Sequence, residues 1–154
     1  MKLIKAIYKA PIIIKEYDEK LGITHVVIKY ENIRFSGTAR LAKEDEGFYS
    51  KKVGYNIALS KARIKMLQWY YEQELEKYNQ RNLFYQEVTG FGLKDSAEID
   101  PLGVFKHNLK RTETRLAAFK FAIDKEKDML KKYIIGQDKA IESVKRFRKK
   151  ADNN

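Results

Sequence analysis

Between Ser50 and Val88 the chain can be wound into a single helix whose apolar residues fall on two opposed sides, and few folds accommodate that. At about 100° per residue, Val53, Ile57, Ile64, Leu67, Tyr71, Leu75 and Tyr78 line one stripe. Leu59, Ala62, Met66 and Trp69 line a second stripe across the helix axis. Lys52 and Arg63 fill one gap between the stripes, and Lys61, Lys65 and Gln68 fill the other. A helix apolar on one face lies on a core, whereas a helix apolar on both faces must be covered on both. The stretch therefore reads as a central helix between two layers. It holds no proline, Gly54 is its one glycine, and Ser50 is placed to cap its amino end. In one piece it would be about 58 Å long.

The covering layers are sought on either side. Residues 2 to 41 read as strands. Leu3 to Tyr8 and Ile12 to Tyr17 are short Ile-rich runs separated by Pro11, and Ile23 to Tyr30 and Ile33 to Leu41 flank Glu31 and Asn32 as a hairpin. Val26 and Ile28, with Ile33, Phe35 and Gly37, alternate toward one face, which is expected to meet the central helix. On the carboxyl side, Thr89 to Leu93 reads as a break, and Asp100-Pro101 as the start of a short helix. Leu109 to Ile134 reads as a second long helix, antiparallel to the first, capped by Asn108. It carries Leu109, Leu116, Phe119, Ile123, Leu130 and Tyr133 on one side. Gly136 is expected to end it and Asp138 to begin a final helix with Ala140, Ile141, Val144 and Phe147 inward. The expected fold is α+β: a small antiparallel sheet packed on a long central helix, with a C-terminal helical layer. Residues 1–90 supply sheet and helix, residues 91–154 the layer, and the two form one compact unit.

A chain of 154 residues is long enough for one domain with a real core. It has no cysteine, which excludes disulfides and thiolate metal sites and fits a reducing, cytoplasmic setting. Its apolar runs are far shorter than the roughly 20 residues that span a bilayer, so no membrane partner is expected. The net charge is +11. It is uneven: the 49 residues from Lys106 onward carry 15 Lys or Arg against 7 Asp or Glu, a net +8, leaving +3 for the first 105. A surface of this kind attracts polyanions, and RNA or DNA is the first partner to consider. Solubility alone is the plainer reading of the same charge.

Two clusters stand out. Lys51 and Lys52 occupy the first turn of the central helix, where the dipole disfavours cations. Free amides, a positive helix end and two lysines make a phosphate site, unless the preceding Glu44-Asp45-Glu46 simply neutralises them. With Lys61, Arg63 and Lys65 they are expected to form one phosphate-contacting patch. Lys145, Arg146, Arg148, Lys149 and Lys150 form a second, denser than the end of a helix requires. Tyr70, Tyr71, Tyr78 and Tyr85 add aromatic weight, for stacking on bases or, with their helical spacing, for the core.

Catalytic signals are weaker. Glu44, Asp45 and Glu46 would suit a hard cation, yet adjacent loop side chains diverge and a solvated acidic loop is the simpler reading. His25 has no partner carboxylate nearby in sequence and reads as a surface or cross-strand histidine. Asp95, Glu98, Asp100 and His107 match no metal or acid–base spacing. No glycine pattern fits a dinucleotide or nucleotide loop, so neither cofactor nor metal is expected.

The run Phe48-Tyr-Ser-Lys-Lys-Val-Gly-Tyr-Asn-Ile-Ala-Leu-Ser-Lys-Ala-Arg resembles the last helix of the double-stranded RNA-binding domain. In that family the helix begins with Ser-Lys-Lys and lays alanines against a three-stranded sheet, and the resemblance implies that Lys51 and Lys52 contact phosphates. The likeness covers 16 residues; Tyr55 replaces the family's next lysine, and residues 2 to 17 read as extended where the family has its first helix. Gly37-Thr-Ala-Arg, Glu44-Asp-Glu and Gly54-x-x-Ile-Ala-x-x-Lys-Ala are also similar to small phage and mobile-element proteins of Gram-positive bacteria. Together these readings lead to a non-enzymatic nucleic-acid-binding accessory protein. The alternatives are an anti-defence, anti-CRISPR-like inhibitor that binds a host nuclease or its guide RNA, and a metal-dependent nuclease using the acidic triplet. The stripe from Leu59 to Trp69 could also serve as the seam of a homodimer.

Overall fold

The computed structural model describes residues 2–88 and 103–152. The elements run α1 (Lys2–Tyr8), β1 (Ile12–Asp18), β2 (Ile23–Tyr30), β3 (Ile33–Arg40), a 3-10 turn at Lys43–Phe48, α2 (Lys51–Val88) and α3 (Val104–Asp152). The three strands form one antiparallel sheet in the order β1-β2-β3. This is the expected α+β arrangement, with the sheet on one face of α2 and α3 on the other. Among the described residues no helix is long and apolar enough to cross a membrane. The proposed boundary at residues 90 and 91 lies outside the described residues, as does the short helix expected at Asp100-Pro101.

Both stripes of α2 are covered. Ala58, Ala62, Met66 and Leu67 are fully buried, and Ile57 and Leu59 nearly so. Ser50 caps the helix, its Oγ accepting from the Val53 amide at 3.5 Å. Along the stripe from Leu59 to Trp69, β3 lies on Ala62 and Trp69, and Leu59 and Met66 are buried within the chain itself. Gly37 of β3 lies on α2 so closely that a Cβ there would sit 1.9 Å from the Ala58 carbonyl oxygen and 2.6 Å from the Ala62 nitrogen. Farther along, the gap is filled by rings: Phe35 meets Trp69 edge-on at 6.2 Å, and Trp69 meets Tyr70 at 4.8 Å.

The hairpin forms where its alternation places it, with Ile28 opposite Phe35 and Val26 opposite Gly37. In β1 the register slips between Ile12 and Ile14, a bulge that leaves Ile13 exposed. Beyond it Lys15 pairs with Val26 and Tyr17 with Thr24, so these two, and not Ile14 and Glu16, share the face turned to α2.

Two expectations are corrected. Leu3 to Tyr8 is helical, so the sheet has three strands and not four. Leu3, Ile4, Ile7 and Tyr8 have helical spacing, Ile7 is buried at 1 % exposure, and Pro11 stops the turn. A seven-residue helix therefore precedes the sheet. The second correction concerns Gly136. α3 starts at Val104 after Gly103 (φ +62°) and continues as one 49-residue helix through Asn108, Gly136 and Asp138. A helical glycine costs only about 1 kcal/mol relative to alanine, too little to stop a helix supported on both sides. Of the residues expected inward beyond it, Ile141 is buried, whereas Ala140, Val144 and Phe147 are exposed, Phe147 at 74 %.

The α2–α3 pair is antiparallel. Arg81 donates to Thr112 Oγ1 at 2.6 Å, Tyr78 to Glu113 at 3.0 Å, and Ser60 to Glu126 at 2.7 Å. At about 57 and 73 Å the helices differ in length, and α3 overruns the start of α2.

Gly37→Ala is expected to destabilise the fold by about 3 kcal/mol or more, because backbone meets backbone and nothing flexible can yield. Gly136→Ala, at an exposed helical site with open space around it, is expected to stabilise by about 1 kcal/mol. Urea midpoints of the two variants against the parent check both signs.

Candidate nucleic-acid interface

The amino end of α2 carries no acidic residue in its first turn. Lys51 and Lys52 project there, both exposed. Because of the β1 bulge, Lys15 and Tyr17 reach the same place, and together with Lys51, Lys52 and Tyr55 they line one open depression. Lys15 Nζ stands 5.1 Å from the centre of the Tyr55 ring and Lys51 Nζ 6.0 Å from that of Tyr17. Cations thus alternate with aromatic faces, an arrangement able to hold phosphates and stack bases. Glu19, from the β1–β2 turn, pairs with Lys51 at 2.5 Å and holds its ammonium above the usual lysine range. Both partners are more than half exposed, so the pair is weak and open to exchange.

The terminal cluster reaches the same end of the molecule. Lys145 binds the carboxylate of Asp45 in the 3-10 turn. Its Nζ lies 5.7 Å from the centre of the Phe48 ring, and the Arg148 guanidinium lies 4.9 Å from that ring. Phe48 is three residues before Lys51. Arg146 makes a 3.7 Å contact with Glu142, one turn back on its own helix, and Lys149 and Lys150 are exposed. Cations nearly a hundred residues apart in sequence are therefore brought to either side of one short turn.

The five α2 cations do not form a single patch. Lys61 Nζ donates to the Thr38 carbonyl on β3 at 2.9 Å, while Arg63 covers the Tyr8 ring at 5.2 Å. Two residues apart, they point about 200° from one another. Lys65 is exposed but roughly 20 Å along the axis from Lys51.

The other candidates find ordinary roles. His25 Nδ1 and Thr38 Oγ1 lie 2.9 Å apart as cross-strand partners. Asp45 is held by Lys145 and is not presented to a cation; the side chains of Glu44 and Glu46 lie outside the described residues, as do Asp95, Glu98 and Asp100. Among the described residues no group of three or more His, Asp or Glu could hold a metal ion. Tyr70 and Tyr71 pack on the core and Tyr78 reaches Glu113.

One polar cluster escaped the sequence reading. Glu126 of α3 is fully buried; its Oε1 accepts from Ser60 of α2 at 2.7 Å and its Oε2 from the Tyr8 hydroxyl of α1 at 3.0 Å. Three helices are thus tied at one carboxylate. A signal existed in the seven-residue step Thr112, Phe119, Glu126, Tyr133, which sets Glu126 on the covered stripe. Lys15 and Tyr17 were missed because the bulge changes their face.

The chain matches no protein-family model, no curated protein and no solved structure.

Burial, with the adjoining Glu126 carboxylate, pushes the Tyr8 hydroxyl from 10.0 up to about 12, and burial, with Glu31 nearby, does the same for Tyr70. The folded chain then keeps protons that the unfolded chain loses, so stability is complete below pH 10 and declines as pH rises from there to about 12. Absorbance titration is expected to show two tyrosines ionising near pH 12, and Tyr8→Phe to leave one.

Proposed function

We propose that this protein is a non-enzymatic nucleic-acid-binding protein that holds the sugar–phosphate backbone where α2 begins and α3 ends. The observation that carries the reading is that Lys15, Lys51 and Lys52 line one depression at the start of α2, while Lys145 and Arg148 of α3 lie over Phe48, three residues before Lys51 in the chain. Exposed cations, free helix-end amides and tyrosine faces in one place match the chemistry of a nucleic-acid strand. The order helix, three strands, helix, with Ala58 and Ala62 against the sheet, further supports the resemblance to the double-stranded RNA-binding domain, and duplex RNA is the first ligand to try. An accessory role of this kind is also what the local likeness of Gly37-Thr-Ala-Arg and Glu44-Asp-Glu to phage and mobile-element proteins implies. The alternative, an inhibitor that docks on a host nuclease, is favoured by Phe121, an aromatic ring 72 % exposed beside an apolar groove between α1 and α3. Survival of a defined complex after nuclease treatment separates that reading from direct nucleic-acid binding.

Neutralising about four phosphates gives a log affinity that falls with log salt at a slope of about −3 to −4, or roughly 100-fold between 50 and 200 mM. Fluorescence anisotropy with labelled duplex RNA, duplex DNA and single strands measures it. Lys51→Gln with Lys52→Gln is expected to make the slope shallower by about 2. A flat salt response, or no binding at low salt, refutes the proposal.

A further inference from the structure

A larger cavity lies elsewhere, in the trough between α1, the far half of α2 and the start of α3. Its volume is about 830 Å³, within the roughly 300–1,000 Å³ of small-molecule sites. Glu74 is 23 residues beyond Lys51, about 35 Å along α2, so the trough is separate from the interface proposed above.

One wall is cationic. Lys77 of α2, Lys110, Arg111 and Arg115 of α3, and Lys2 of α1 all line it, with His107 in the first turn of α3. That turn has no acidic residue, so the positive end of the helix adds to the field. Glu74 is the single carboxylate among the lining residues, and it is 5 % exposed. Its Oε1 accepts from Arg115 Nη1 at 3.1 Å, and its Oε2 lies 3.9 Å from Lys77 Nζ. A buried carboxylate is retained only when paired; here it fixes a guanidinium and an ammonium at the cavity edge. No ion pair among the described residues holds Lys2, Lys110 or Arg111. The remaining wall is apolar, formed by Leu3 and Ile4 of α1 with Ala118 and Phe119 of α3.

We propose that this trough binds a nucleoside polyphosphate, with the phosphates on Lys77, Lys110, Arg111 and Arg115 and the base against Leu3, Ile4 and Ala118. A bare inorganic anion would leave the apolar wall unused, and an apolar ligand would leave the five lining cations without a counter-charge beyond Glu74. An anion with a flat apolar-faced moiety satisfies both walls. The Arg115 fork, oriented by Glu74, is ready for bidentate contact with a phosphate.

The test is titration calorimetry of the full chain at low salt with ATP, GTP, the matching monophosphates and inorganic tripolyphosphate. Either triphosphate is expected to bind at least tenfold more tightly than its monophosphate and than tripolyphosphate. Lys110→Gln with Arg111→Gln, both exposed and outside the core, is expected to weaken it at least tenfold. Lys51→Gln with Lys52→Gln is expected to leave it within twofold while reducing nucleic-acid binding, so the two proposals fail separately. Should the Lys110 and Arg111 variant not fold, Lys77→Gln replaces it with the same expectation. No binding of ATP or GTP up to millimolar concentration overturns the proposal. So does tripolyphosphate binding as tightly as ATP, or equal losses in the two double variants, which would reflect net charge alone.

Discussion

The structure depends on how closely β3 approaches α2. Gly54, Ala58 and Ala62 recur every four residues and form one row of the helix without bulk. Gly37 on the strand meets that row at backbone distance, and Gly54 meets Thr24, where a Cβ would come within 2.4 Å of Thr24 Oγ1. A sheet seated so low closes off one side of α2 near its amino end and splays away farther along. The wedge is taken up by aromatic rings. Tyr30 meets Tyr70 at 5.6 Å, and Tyr70 in turn stacks on Phe119 of α3 at 6.4 Å, so the ring contacts pass from the sheet, through α2, to the second layer. Small residues set the distance; aromatic ones fill what the distance leaves.

On its other side α2 meets α3 along a seam that is not wholly apolar. Ser60, Leu67, Glu74 and Arg81 step by sevens, as do Thr112, Phe119 and Glu126 on α3. Ser60 with Glu126, Glu74 with Arg115 and Arg81 with Thr112 are polar pairs at separate heights. An all-apolar seam would tolerate a shift by one turn, whereas these pairs would lose their partners and deprive the buried Glu126 of its bond from Ser60. The register they fix has a consequence at each end. It places Lys110, Arg111 and Arg115 beside α1 and Lys77, and it carries Lys145 and Arg148 onto Phe48.

Much of this arrangement was legible in the sequence, and the exceptions have physical causes. The two stripes of α2, its Ser50 cap and the β2–β3 alternation follow from local periodicity, which burial on both faces then enforces. α1 was misread because its seven residues, rich in Ile, are too few to separate a period of 3.6 from one of 2; what decides it is tertiary, the burial of Ile7 and the anchoring of Tyr8 on Glu126. Gly136 marks a break only when the backbone turns left-handed there, and no positive φ occurs at that position. Of the candidate site, the two lysines and the terminal cluster were visible as runs of charge. The placement of Lys145 and Arg148 over Phe48 was not, since it depends on the length of α3 and its register against α2. The trough is illegible for a similar reason, being walled by three helices far apart in the chain.

The pairing of Lys51 with Glu19 and of Lys145 with Asp45 bears directly on whether that end of the molecule can hold a polyanion. With 32 basic and 21 acidic side chains, at least 11 cations would lack an acidic partner even if every carboxylate were taken. The carboxylate of Glu19 holds Lys51 only weakly, because both side chains are more than half in solvent. A phosphate offers the same charge-assisted contact and adds the entropy of released counterions. Under the proposed function, exchange would be favoured at low salt and would lose its advantage as salt rises. Lys149 and Lys150, in the last turn of α3, sit at the negative end of its dipole, which favours cations there without a carboxylate partner.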